Sequence, residues 1–201
     1  MSSAFETAKI AAAQGLRCFP GSAIWAAGAD GLATTDLATL AKIDSLDPRA
    51  MWLAALPDSG IVCLSTPRAR DYDILAGQLG EIPTTMSVSR GDQNESVVRW
   101  LRAPLSANLK IREMFSGTRA MFKKNGVLPE SINVHTGEVY YIVEGGEFDL
   151  RRCAELPQKW IDAAPRNSGP GITATVNARH EWQPQIREED FARRSYRSFN
   201  D

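Results

Sequence analysis

The run Ser59-Gly60-Ile61-Val62-Cys63-Leu64-Ser65-Thr66-Pro67 constrains this chain more than any other stretch. Four apolar residues in succession follow a glycine turn. They are too few for a solvent-facing helix and suit a strand covered on both faces. Such a strand belongs at the centre of a sheet, and the carboxyl end of a central strand is where α/β sheets place their chemistry. At that end the chain carries Ser65, Thr66 and Pro67 and no carboxylate.

The elements around this strand follow from spacing and breakers. Ser3 and Glu6 form a capping box for a helix with Phe5, Ala8, Ala12 and Leu16 at helical spacing, and Gly15 is its stop. A short strand, Leu16 to Phe19, ends at Pro20-Gly21, and residues 21–33 are a Gly- and Ala-rich loop. Thr35 or Asp36 caps a second helix with Leu37, Leu40, Ala41 and Leu46 on one face, closed by Asp47-Pro48. Residues 50–55 fit a strand that pairs with Ile61–Ser65 across the Pro-Asp-Ser-Gly turn. Pro67 opens a helix to Leu79, with Tyr72, Leu75 and Leu79 inward and Gly80 as its stop.

Residues 83–90 and 96–102 make a hairpin around Gly91-Asp92-Gln93-Asn94. Val98, Trp100 and Arg102 share one of its faces, and Val97, Arg99 and Leu101 the other. A short helix is expected through Leu109, Ile111 and Met114, then a strand over 119–123, a turn at Lys124-Asn125-Gly126 and a loop through Val127–Ser131. His135-Thr136-Gly137-Glu138 is a turn before a strand over 139–143, and Pro157 opens a last helix, 158–163. Residues 1–164 thus read as one α+β domain and residues 165–201 as an extended C-terminal arm, where Pro, Gly, Asn and Arg replace the periodic apolar pattern.

Composition narrows the function classes. A net charge of −1 gives no global attraction to nucleic acid or membrane, so any basic surface is local. Three widely spaced cysteines without a CxxC argue against a disulfide framework and for a reduced, cytoplasmic setting. With only two histidines, a His/Cys metal cluster is not expected. No apolar run approaches the roughly 20 residues of a membrane span, and no signal peptide opens the chain.

The order of elements, with Ala8–Pro20, Ala33–Asp36, Ser59–Leu64, Pro83-Thr84, Arg99–Pro104, Gly126–Ser131, Gly137–Tyr140 and Leu156–Trp160, resembles the primase–polymerase (Prim-Pol) domain of the archaeo-eukaryotic primase superfamily. Members belong to replication proteins of phages, plasmids and integrated elements. The resemblance implies a Prim-Pol-like mixed sheet with flanking helices. It also implies two-metal nucleotidyl transfer, with two acids on the buried strand, a downstream histidine and a third acid. The two acid positions fall on Ser65 and Pro67, which carry no charge to offset Mg²⁺ or Mn²⁺. The histidine belongs on 96–102, where there is none, and the third acid near 117–123, a segment that bears Arg119 and Lys123 beside Lys124. Ser131 matches the serine of the family's proline-rich turn.

Other residues have two readings each. Asp71 and Asp73 form a D-x-D that is either a displaced metal site or a pair of acids favoured by a helix start; i and i+2 on a helix face apart, which favours the second. Arg90, Arg99, Arg102, Arg119, Lys123 and Lys124, with Ser131, are the candidate phosphate contacts, and Trp100 a stacking surface. The alternative is a solvated hairpin face over a packed tryptophan. His135 reads as a surface histidine, Ser65-Thr66 lacks the elbow and base of a nucleophile, and Gly28-Ala29-Asp30-Gly31 lacks the Lys-Ser/Thr of a phosphate loop. The arm sets Trp182, Phe191, Tyr196 and Phe199 among six arginines and five acids, which suits a docking element or one that packs back on the domain.

The expected function is therefore a replication-associated module of a mobile element or phage, without polymerase activity, binding single-stranded DNA or RNA, or a partner. A replication protein or a second copy of the chain would be held through residues 165–201. No cofactor is expected. The enzymatic alternative is an active DNA primase/polymerase that uses Mg or Mn on relocated carboxylates such as Asp71, Asp73 or Glu95, and the third reading is an unrelated α+β assembly module.

Overall fold

The computed structural model describes residues 4–21, 33–48, 51–56, 59–90, 96–107, 109–111, 113–133 and 136–165. The cap at Ser3, most of the 21–33 loop, the hairpin turn, Glu95, His135 and the arm beyond Pro165 lie outside the described residues.

Two sheets and four helices make the described fold, an α+β architecture as expected. Helix α1 (Ala4–Ala13) leads into β1 (Arg17–Pro20), and α2 (Leu37–Leu46) into β2 (Trp52–Ala55). Then come β3 (Ile61–Thr66), α3 (Ala69–Leu79), β4 (Ser87–Arg90), β5 (Val97–Arg102), β6 (Met121–Lys123) and β7 (Asn125–Val127). β8 (Tyr140–Glu144), β9 (Ala154–Glu155) and α4 (Gln158–Ala163) complete the order. The smaller sheet runs β1-β2-β7, and the larger runs β6-β3-β5-β4-β8 with β9 added in parallel on β5.

β3 is internal to the larger sheet, and its residues are buried except Val62, which is half-buried. The strand pattern places Val62, Leu64 and Thr66 on one face, Ile61, Cys63 and Ser65 on the other. The first face carries α3 and α4 over a core of Leu64, Leu75, Leu101, Phe122 and Trp160. The second face meets β7 of the smaller sheet. A Cβ at Gly126 would collide with the Trp100 ring and lie 2.9 Å from Cys63 Sγ, so glycine is what lets the strand sit there. Trp100 is fully buried, with its ring edge-on to Phe148 at 5.5 Å.

Several expectations hold. Asp36 caps α2 by accepting a 2.8 Å bond from Thr39 N–H. α3 stops at Gly80, whose φ is 88°, and Leu75 is buried with Tyr72 and Leu79 packed beside it. The hairpin of β4 and β5 and the limits of α4 are as read. The three cysteines are free and buried.

Others are corrected. β2 does not pair with β3: its edges are taken by β1 and β7, while β3 is flanked by β5 and β6. A turn between two strands reverses the chain but does not choose partners, and here long-range pairings win on both sides. The helix expected over 105–115 is a single 3₁₀ turn, Leu105–Ala107. Lys110 N–H instead bonds Pro165 O at 2.8 Å and Phe115 N–H bonds Ala120 O at 2.9 Å, donors that a helix would keep for itself. Asn125 and Gly126, read as a turn, are strand residues opposite Ala55 and Ala54. α2 buries Leu40 and Ile43, leaving Leu37 and Leu46 largely exposed at its ends. Pro67 precedes α3, whose N-cap is Arg68.

Two glycine substitutions check this packing with opposite signs. Gly126→Ala should destabilise the protein by about 1–3 kcal/mol, the usual cost of overpacking. Gly77→Ala, where an added Cβ meets nothing within 4 Å on α3, should stabilise by roughly 0.5–1 kcal/mol. Urea denaturation of the two variants reads both, and a neutral Gly126→Ala would contradict the close approach of the two sheets.

Candidate nucleic-acid interface at the end of the central strand

Three neighbouring strands bring the residues at the acid, histidine and third-acid segments into one cross-strand row. Ser65 of β3 lies opposite Val98 of β5 on one side and Met121 of β6 on the other. Val88 of β4 extends the row beyond Val98. The row is a hydroxyl, a thioether and two isopropyl groups. Ser65 is 4% exposed and Val88 fully buried. These groups do not fit a divalent cation, which takes hard, charged oxygen ligands. Among the described residues no three His, Cys, Asp or Glu side chains gather as a metal site.

Asp71 does not supply the missing charge. It sits in the first turn of α3, as read, and is fully buried. Arg68 grips both its oxygens, Nη2 to Oδ1 at 2.7 Å and Nε to Oδ2 at 3.1 Å. Arg119 acts on the same carboxylate through space. The oxygens of Asp71 are thus engaged by the N-cap residue of its own helix. The Arg68 hydrogen bond, ahead of other causes, holds its carboxyl below the usual carboxylate range. Asp73, two residues on, is exposed. Glu95 lies outside the described residues.

The expected cations do not form one face. Arg99 lies opposite Leu64 and Arg102 opposite Ile61, three strand residues apart and hence on opposite faces. Arg102 sits 3.9 Å from Glu155, and Arg90 pairs with Glu138 at 3.0 Å. Lys123 is opposite Cys63, and the Lys124 carbonyl accepts from Leu56 N–H. Arg119 is exposed beside the Asp71 clasp. Trp100 is fully buried, so its ring presents no face to a base. Ser131 is buried too: its Oγ accepts from Trp52 N–H at 3.0 Å and donates to Trp52 O at 3.2 Å. It is a staple between β2 and the turn before it, where Glu130 takes a φ of 66°, the value that the third residue of a type II turn needs.

Arg99 is set in a hollow at the end of β3; Arg102 and Lys123 line two other hollows. Thr66, Ala69, Tyr72, Ser87, Val97, Arg99, Val143 and Glu144 line a space of about 440 Å³ at the end of β3, on the helix-bearing face. The guanidinium lies 3.7 Å above the centroid of the Tyr72 ring and donates from Nη1 to Thr66 Oγ1 at 3.1 Å. Tyr72 is itself fixed. Its hydroxyl donates to Glu81 Oε2 at 2.7 Å and accepts from Ile82 N–H at 3.2 Å, and its ring stacks on Trp160 at 6.2 Å. Burial, the main cause, works against the charge of Arg99 and draws its pKa below the ordinary arginine value. Across the hollow, Glu144 accepts a 3.1 Å bond from Ser87 Oγ.

Tyr72, Thr66, Ser87 and Glu144 were absent from the sequence-derived site. Tyr72 reads as a core residue by its helical spacing, and the hydroxyls carry no motif. The one available signal was the alternation in β4 and β5 that puts Ser87 and Arg99 on one face.

The Asp71 clasp has a definite pH signature. A folded pKa held below the unfolded value of about 3.9 adds stability above that value, and the gain is lost as pH falls through the folded pKa. Asp71→Asn should therefore melt at a lower temperature than the parent at pH 7. The gap should narrow as pH drops below about 4. A gap that is constant from pH 7 to pH 3 would show that the carboxylate charge adds nothing.

Comparison with known proteins agrees with the α+β fold. No curated protein matches the chain. The family described as "Bifunctional DNA primase/polymerase, N-terminal" matches residues 8–159, from α1 to the first turn of α4. That span takes in both sheets, the Ser65 row and the Arg99 hollow, and the chain belongs to the Prim-Pol family.

Proposed function

We propose that this chain is a replication-associated Prim-Pol domain of a phage or other mobile element, acting in the cytoplasm by holding single-stranded DNA or RNA and performing no nucleotidyl transfer. The observation that carries this reading is the Met121–Ser65–Val98 row. Nucleotidyl transfer by two metals needs carboxylates that hold the cations, activate the attacking hydroxyl and offset the charge of the leaving group. Serine, valine and methionine do none of this. What the domain retains is a half-buried, stacked arginine on the opposite face of the sheet from the row, and five other candidate cations. Such a surface makes a few phosphate contacts and binds in a salt-dependent way. The reading needs no cofactor. Residues 165–201 are assigned to a replication protein or a second copy of the chain, which light scattering of protein truncated after Ala164 tests directly.

Two measurements test the reading. Labelled nucleotide should not be incorporated on a primed or unprimed template with Mg²⁺ or Mn²⁺. Incorporation that disappears in Asp73→Asn or Glu95→Gln protein would replace this reading with an active polymerase built on relocated acids. Single-stranded oligonucleotides should bind with micromolar or weaker affinity, and affinity should fall as salt rises. Arg99→Ala and Arg102→Ala should each lower the slope of log affinity against log salt by about one at most. No binding at low salt would leave the domain as an assembly module.

A further inference from the structure

We propose that the Arg99 hollow is a site for a free α-amino acid with an apolar side chain, its carboxylate on Arg99 and its ammonium on Glu144. The inference is independent of the nucleic-acid reading above. Ser65 and Thr66 are successive strand residues and point to opposite faces, so the hollow lies on the helix-bearing side, apart from the Ser65 row.

The carboxylate end follows from Arg99. The guanidinium donates one N–H to Thr66 Oγ1 and lies over the Tyr72 ring. Among the described residues its remaining N–H groups meet no acceptor, and no carboxylate closes an ion pair with it. They keep the planar fork that matches a carboxylate. Tyr72 is in turn held by Glu81, Ile82 and Trp160, so the cation is in place before a ligand arrives and little ordering opposes binding.

The ammonium end follows from Glu144. Ser87 lies opposite Arg99 on one side and opposite Glu144 on the other, which sets the three in one cross-strand row. The Ser87 hydroxyl is 3.1 Å from both Glu144 Oε2 and Thr85 O, and its single proton serves one acceptor at a time. Among the described residues no cation is paired with Glu144, so its carboxylate is short of donors.

Charge selects the class of ligand. Glu144, Glu81 and Asp73 all act on Arg99 through space, so one arginine stands among three carboxylates. A dianion such as inorganic phosphate is opposed by all of them. A simple monoanion engages Arg99 and leaves Glu144 unmet. An α-amino acid carries a carboxylate and an ammonium on one carbon, meets both groups and adds no net charge. In a peptide the two charges lie at opposite ends of a longer chain. Val97 and Val143 line the same space of about 440 Å³, which has room for a free amino acid. They give its side chain an apolar wall.

Titration calorimetry of the full chain at low salt decides the matter, with L-leucine, leucinamide, isocaproate and inorganic phosphate as probes. Leucinamide lacks the carboxylate, and isocaproate lacks the ammonium. Leucine should bind, and each analogue at least about tenfold more weakly, the usual cost of losing a charge-assisted hydrogen bond. Phosphate should not displace leucine. Glu144→Gln, which still offers Ser87 an acceptor, should weaken leucine about tenfold and should not weaken isocaproate. Arg99→Gln should weaken leucine by a similar factor and leave leucinamide unchanged. Side chains that only shape the fold would shift leucine and its analogues alike. Should Arg99→Gln fail to fold, the Glu144→Gln comparison stands on its own. No binding of leucine at millimolar concentration, equal binding of leucine and isocaproate by the parent protein, or displacement of leucine by phosphate overturns the amino-acid site.

Discussion

The close approach of Gly126 to Trp100 is the constraint on which both sheets depend. The tryptophan is the largest fully buried side chain of β5. It fills the space between the sheets only because the residue of β7 above it has no side chain. Phe148 closes its edge, and Cys63 lies beside it on the same face. Substantial apolar area leaves water there, worth a few kcal/mol for one such ring. A cost comes with it, since the indole N–H finds no hydrogen-bond partner among the described groups. Ser131, stapled to both polar groups of Trp52, holds the smaller sheet in line with that contact. Its turn in turn tolerates the positive φ of Glu130.

One residue step along β3 separates two very different surfaces. Ser65 belongs to the row shared with Val98 and Met121, and Thr66 to the hollow shared with Arg99 and Tyr72. Strand alternation gives the protein a chemically quiet face toward the smaller sheet and a charged one beside the helices. The Asp71 clasp serves the second. It ties the N-cap residue Arg68 to the first turn of α3, which carries Tyr72 under Arg99.

Legibility differed by the range of the interaction involved. β3, α3, α4 and the β4–β5 hairpin were readable, since each is specified by local spacing and by breakers such as Gly80 and Pro157. Asp71 and Asp73 were rightly separated by helical geometry, but the burial of Asp71 was not readable from spacing. Trp100 and Ser131 showed the converse. Trp100 had two readings, a stacking surface or a packed ring, and Ser131 looks functional in a family turn; both are structural because of what a distant strand places over them. The segment from Leu105 to Phe115 misled because its apolar spacing is compatible with a helix while its backbone donors had better partners in Ala120 and Pro165.

The sequence by itself determined the α+β class, the buried central strand, the uncharged residues at its carboxyl end and the family. Each of these is a property of residue identity and local period. Only the tertiary structure decided that β2 and β3 belong to different sheets, that Gly126 is a packing glycine and not a turn, and that Arg99 stacks on Tyr72 in a hollow. Those outcomes depend on strand pairing between residues far apart in the chain. The gain from such pairing comes when two whole surfaces meet, and no short stretch of either strand carries it.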